Sequence, residues 1–196
     1  MMKKQIILAS VLGALALPVM ADNFYVFGDV GQGKTEIDGS DNYTFSKTAT
    51  TYSLGAGYNV NRFFAVELAY RDLGETKDRG DAVDDFGDSF NFVDKYDVTA
   101  LQASVVGKLP ISDEFNLYGR VGVAKLNVDY KSAAYYSDGN NPAPSKDSYS
   151  KTKALAGVGA SYDITPQFAI RAEYNQYAKW DDTKLSSLTV GATYSF

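Results

Sequence analysis

The chain has 196 residues, with 19 Lys and Arg against 24 Asp and Glu and a formal net charge of −5. That acidic balance argues against nucleic acid as a partner, because phosphate binding needs clustered basic side chains. There is no cysteine and no histidine, which excludes a disulfide framework and removes the commonest general base and metal ligand together.

The first residues read as an address. Lys3 and Lys4 precede an apolar run from Ile6 to Leu17, and Val19-Met20-Ala21 places small or modest side chains where a signal peptidase reads. This predicts a signal peptide over residues 1–21, cleaved between Ala21 and Asp22. A membrane anchor is the weaker reading, since the run falls short of the roughly 20 apolar residues a helical span needs. Without the two lysines, residues 22–196 hold 17 basic and 24 acidic side chains, in a length that suits one domain. Mean hydropathy is −0.24 and no second long apolar run follows. A chain of this kind that spans a membrane must do so with strands.

Read with a period of two, the rest of the sequence gives eight segments. In Asn23–Gln32, Phe24, Val26, Gly28 and Val30 oppose Tyr25, Phe27, Asp29 and Gly31. In Thr50–Asn59, Tyr52, Leu54, Ala56 and Tyr58 oppose Thr51, Ser53, Gly55 and Gly57. In Phe63–Leu73, Phe64, Val66, Leu68 and Tyr70 oppose Ala65, Glu67, Ala69 and Arg71. Val98–Leu109, Phe115–Leu126, Lys153–Tyr162 and Phe168–Ala178 repeat the scheme, and Leu188–Phe196 closes it with Leu188, Val190, Ala192, Tyr194 and Phe196 on one face. Such alternation marks strands with one apolar and one polar face.

The connections alternate in length. Asn59–Arg62, Pro110–Asp113 and Asp163–Pro166 are tight and rich in turn formers. Thr35–Ala49, Gly74–Asp97 and Asn127–Thr152 read as long polar loops, and Lys179–Leu185 as a shorter one. Short turns at one end and long loops at the other predict an all-β, eight-stranded antiparallel up-and-down transmembrane barrel, with turns in the periplasm and loops outside the cell. A soluble periplasmic ligand-binding barrel would show the same alternation with its faces reversed. The membrane reading is favoured because aromatics gather near the ends of the apolar faces and because charges occur singly among Gly, Ser and Thr on the other faces. Those charges are Asp29, Glu67, Arg71, Lys108, Arg120, Arg171 and Glu173. A basic group at the lipid midplane costs about 2–4 kcal/mol, so all are expected in the lumen, as a structural salt-bridge network or as the gate of a narrow ion path.

Other features carry less. Catalysis by Glu67 and Glu173 would need space that a lumen filled by side chains lacks. Asp84-Asp85-Phe86-Gly87-Asp88 has the composition of a calcium loop without its spacing, and Gly31-Gln32-Gly33-Lys34 lacks the spacing of a phosphate loop. No cofactor or metal is expected. Phe86, Phe90 and Phe92 alternate within the Gly74–Asp97 connection, and Tyr135, Tyr136 and Tyr149 fall in the Asn127–Thr152 connection. Aromatics placed there suit contact with other proteins, though they could equally pack loop against loop. The Gly74–Asp97 alternation also suggests that the flanking strand extends above the membrane as a hairpin.

Several stretches resemble the eight-stranded OmpA/OmpX/opacity family of outer-membrane proteins across 22–196. They are Phe24-Tyr25-Val26, Val105-Val106-Gly107-Lys108-Leu109-Pro110-Ile111, Leu117-Tyr118-Gly119-Arg120-Val121-Gly122, Arg171-Ala172-Glu173-Tyr174 and the closing Val190-Gly191-Ala192-Thr193-Tyr194-Ser195-Phe196. The resemblance implies a monomer in the Gram-negative outer membrane, among its lipid and lipopolysaccharide, delivered by periplasmic chaperones and inserted by the barrel-assembly machinery. Leu188, Val190, Tyr194 and Phe196 resemble the signal that machinery reads. It also implies surface contact, as an opacity-type adhesin or binder of host or cell-surface proteins. With the chain ending at Phe196, no peptidoglycan-binding domain and no cell-wall tether are expected. Outer-membrane barrel enzymes of this size use a His beside a Ser, so the missing histidine argues against an enzyme.

Overall fold

The computed structural model describes residues 23–38, 44–83, 89–136, 144–180 and 183–196. They form β1 (Phe24–Asp38), β2 (Thr44–Asn59), β3 (Phe64–Val83), β4 (Ser89–Pro110), β5 (Phe115–Tyr136), β6 (Ser145–Asp163), β7 (Phe168–Trp180) and β8 (Thr183–Ser195). Each strand pairs antiparallel with the next, and β8 returns to β1 through Val30↔Val190, closing the barrel. Closure leaves no sheet edge exposed, which a strand protein in lipid requires.

The three short turns are built alike. Val60, Ile111 and Ile164 donate their backbone N–H to the carbonyls of Phe64, Phe115 and Phe168 at 2.9, 2.9 and 2.8 Å. One residue later, the side-chain oxygens of Asn61, Ser112 and Thr165 accept from the N–H groups of the same phenylalanines at 2.9, 3.0 and 3.0 Å. A polar side chain that satisfies the backbone locally sets where each returning strand begins.

The alternation resolves into an inside and an outside. Val66, Leu68, Leu101, Val105, Val121, Val158, Leu188 and Val190 are exposed on the outer wall, while Asp29, Glu67, Arg71, Arg120, Arg171 and Glu173 are buried in the lumen. Exposed Phe24, Tyr58, Phe64, Tyr162, Phe168 and Tyr194 ring the short-turn end, and Phe24 and Tyr58 touch with ring centroids 4.8 Å apart. This is the polarity of a membrane barrel. The soluble barrel is overturned: its apolar groups would line the cavity instead of the wall.

The long loops require a correction as well, except that the hairpin suggested by the Gly74–Asp97 alternation is present. β3, β4, β5 and β6 run to 20, 22, 22 and 19 residues, about twice the 9–11 needed to cross a bilayer at a tilt. Pairing continues from Glu75↔Asp97 to Val83↔Ser89 and from Asn127↔Ser150 to Ser132↔Ser145. Thr35↔Lys47 and Trp180↔Thr183 likewise fall inside paired ladders. Once a strand leaves lipid its side chains need not alternate, but ladder hydrogen bonds still satisfy its backbone, so polar sequence continues as sheet. The ladder slips once in β3, between Asp72 and Glu75. There Gly74 adopts φ 92°, the left-handed region that favours glycine, and its N–H donates to Asp72 Oδ1 at 2.9 Å.

Candidate functional site: the charged lumen and the extended hairpins

The lumen is layered. Nearest the short turns, a vestibule of about 710 Å³ is lined by Asn59, Lys108, Asn116 and Asp163 and floored by Tyr25, Glu67, Tyr118 and Arg171. Above the floor lie three arginines and three carboxylates, a set with no net charge. Arg71 lies 3.2 Å from Asp29 and 3.6 Å from Glu173. Arg120 bridges Glu67 and, at 3.3 Å, Glu173. Arg171 reaches Glu67 at 3.2 Å and Glu173 at 2.5 Å. Glu173 therefore touches all three arginines.

Neutral groups complete the ring. Tyr25 Oη donates to Glu67 at 2.8 Å, Tyr118 Oη and Asn175 Nδ2 donate to Glu173 at 3.1 and 2.5 Å, and Ser53 Oγ donates to Asp29 at 2.6 Å. The Arg171 guanidinium lies 4.5 Å from the Phe27 ring centroid, a cation–π placement. The Tyr25 and Tyr118 rings lean over Gly57 and Gly159, where a Cβ would collide with them. Those glycines give the rings room inside a narrow barrel.

The third layer is apolar. Leu73, Ala100, Ala124, Leu126, Leu155, Tyr177 and Leu185 form a buried cluster between the ring and the long hairpins. Tyr177 Oη accepts from Gln102 Nε2 at 2.5 Å. Between plug and ring sit Ser187 Oγ and Thr189 Oγ1, buried and without a hydrogen-bond partner among the described residues.

Six of the seven charges expected in the lumen thus meet in one ring. Lys108 stands apart: its ammonium donates to Asn59 Oδ1 at 2.7 Å in the vestibule, because it lies two residues from the end of β4, on the short-turn side of the ring. Leu188, Val190, Tyr194 and Phe196 all face outward. Phe196 N donates to Phe24 O at 3.1 Å, and its ring meets Tyr194 edge-on at 5.3 Å. On the hairpins, Tyr135 and Tyr149 are exposed, Phe92 is half-buried, and Phe90 is the register partner of Tyr136. Ala21, Asp22, Phe86 and the acidic stretch 84–88 lie outside the described residues. Sequence reasoning missed the plug, and gave Tyr25, Tyr118 and Asn175 no part in the charge network that they complete. It also missed Tyr96 and Tyr130, which stack at 4.8 Å on the hairpins. Partial burial there, next to Tyr130 and Asp94, raises the Tyr96 phenol above its usual range.

An apolar wall around a neutralised charged lumen defines a transmembrane β-barrel that crosses its membrane with strands alone. The family described as the OmpA-like transmembrane domain matches residues 19–196, and the chain belongs to that family. Outer membrane protein P5 of Haemophilus influenzae is 30% identical over 189 residues, covering 88% of this chain and 50% of the relative. The chain therefore spans about half the length of that relative. The attachment invasion locus protein of Yersinia pseudotuberculosis is 25% identical over 203 residues, covering 100% of this chain and 98% of the relative. Among solved structures, Neisserial surface protein A shares the fold at TM-score 0.60 and 16% identity, over 91% of this chain and 100% of that one. Ail of Yersinia pestis, solved in complex with the heparin analogue sucrose octasulfate, does so at 0.52 and 23%, over 89% and 99%. This is an outer-membrane protein of a Gram-negative bacterium, with its long hairpins on the extracellular side.

Proposed function

We propose that the protein is a non-enzymatic surface-contact protein that presents its β3–β4 and β5–β6 hairpins to host or neighbouring cells. The observation that carries this is the combination of two long paired hairpins with a lumen sealed beneath them. Contact functions concentrate on projections held by a rigid scaffold, and the projections here bear exposed Tyr135 and Tyr149. Relatives named for attachment and invasion support the same reading. A narrow channel is the less favoured reading, because the apolar plug opposes ion passage even where the charged ring could rearrange.

The test is to replace residues 76–96 and 128–149 with short Gly-Ser turns. These cuts close the ladder at the register pairs Glu75↔Asp97 and Asn127↔Ser150. The barrel should still fold and shift its gel mobility on heating, while binding of expressing cells to host cells falls to the level of cells without the protein. Undiminished binding would reject the contact reading.

Assembly is proposed to depend on the outward aromatic end. Phe196 ties the C-terminus to β1 through Phe24 and presents its ring where an assembly factor or lipid can meet it. Deleting Phe196 should lower folded outer-membrane yield severalfold and raise periplasmic aggregate, scored by fractionation. Wild-type yield from the truncated chain would remove Phe196 from the signal.

A further inference from the structure

The strand register places like charges abreast on the outer face of the extended wall. Lys77 pairs with Lys95, Lys95 with Lys131, and Lys131 with Lys146, so four lysines stand side by side across β3, β4, β5 and β6. Two residues nearer the membrane, Glu75, Asp97 and Asp129 form an acidic row. Neighbouring strands lie about 4.8 Å apart, and like charges directly opposite one another are destabilising. Lys77 is engaged by Glu75 at 2.9 Å. Lys95, Lys131 and Lys146 make no ion pair among the described residues. Lys77, Lys131 and Lys146 are exposed and Lys95 is half-buried. Their field reaches the acidic row: the hydrogen bond from Lys77, with the charges of Lys95 and Lys131 behind it, holds the Glu75 carboxyl below its usual range.

We propose that this lysine rank binds the phosphorylated saccharide of the glycolipid that surrounds the barrel in its own leaflet. The direction of the rank selects that partner. The lysines share the strand phase of Leu101, Val121 and Val123, the lipid-facing side, so they look sideways along the membrane and not up toward an approaching cell. Their height fits as well. Lys95 lies six residues beyond Leu101, the last exposed aliphatic residue of β4. At about 3.3 Å per residue and a tilt of about 35–45°, that is about 15 Å above the apolar band, at the level of core sugars and clear of the acyl boundary. The acidic row lies between the rank and Lys125, the exposed lysine abreast of Leu101 at the edge of the apolar band, and so separates an anion on the rank from one held at the acyl boundary. Multivalent contact with several phosphates would relieve the repulsion among the lysines.

The test uses the full chain refolded in phosphatidylcholine vesicles and reads the temperature at which its gel mobility converts to the unfolded form. Lipopolysaccharide with a phosphorylated core should raise that temperature, and the rise should shrink in high salt. K77Q/K95Q/K131Q/K146Q should lose the rise, whereas K34Q/K151Q/K153Q/K184Q, with the same change in charge, should keep it. The same glycolipid stripped of core phosphate, and lipid A without a core, should leave the temperature unchanged. If the quadruple rank variant refolds poorly, K95Q/K131Q should show a reduced rise and the all-arginine rank a full one. A wild-type rise in the rank variants overturns the proposal, as does a full rise with lipid A alone. A lysine-dependent rise with a soluble sulfated saccharide but not with the glycolipid would also overturn it, by assigning the rank to a free polyanion.

Discussion

Glu173→Ala is expected to lower the unfolding free energy in lipid vesicles by about 3–5 kcal/mol, the usual cost of stranding a buried charge. Three arginines within 3.6 Å of this one carboxylate would be left with two carboxylates to share. Tyr118 and Asn175 would lose their acceptor too. Asp29→Ala should cost less, because Asp29 meets only Arg71 among the arginines. Pairing Glu173→Ala with Arg71→Ala restores neutrality and should recover part of the loss, a non-additivity expected of residues in one network. Urea unfolding followed by tryptophan fluorescence reads all of these variants. A Glu173→Ala midpoint equal to wild type would mean that water entering from the vestibule already solvates the ring.

Most of this ring was legible in the sequence because lipid enforces a strict rule on one face. Any charge in phase with Gly, Ser and Thr had to point inward, and Asp29, Glu67, Arg71, Arg120, Arg171 and Glu173 all obey. Which charge meets which was not legible, since that depends on register across strands distant in sequence: Arg171 and Glu67 are 104 residues apart. The β3–β4 hairpin was legible in the alternating phenylalanines of the Gly74–Asp97 stretch, but the β5–β6 hairpin was read as a loop because the lipid rule stops at the membrane while backbone pairing does not. The bulge at Asp72–Glu75 also shifts the phase of β3, so counting by twos from Phe64 misplaces Glu75 and Lys77. The leucines of the plug went unread for a related reason. A leucine in the inward phase looks like a lapse in alternation when met on one strand. Leu73, Leu126, Leu155 and Leu185 recur at the extracellular end of the inward phase on four different strands, and that recurrence was the available signal.

Opening the plug is expected to expose the lumen from the extracellular side. Leu126 and Leu155 are 0% and 3% exposed, and each Leu→Ala change should cost about 2–5 kcal/mol through lost burial and residual cavity. The chain has no cysteine, so a single Ser187→Cys provides a clean reporter just beneath Leu185 on β8. In an otherwise wild-type barrel that thiol should stay unlabelled when intact cells meet a membrane-impermeant maleimide. With Leu126→Ala and Leu155→Ala added, it should label, because the plug then keeps only Leu73, Tyr177 and Leu185 of its large side chains and a gap opens beside them. A cysteine in place of Asn116, in the vestibule, should label only when reagent reaches the periplasm. Labelling of Ser187→Cys in the wild-type background would show an open upper lumen and revive the channel reading. Absence of labelling after both leucines are cut back, in a barrel that still folds, would move the seal from the plug to the arginine–carboxylate ring below it.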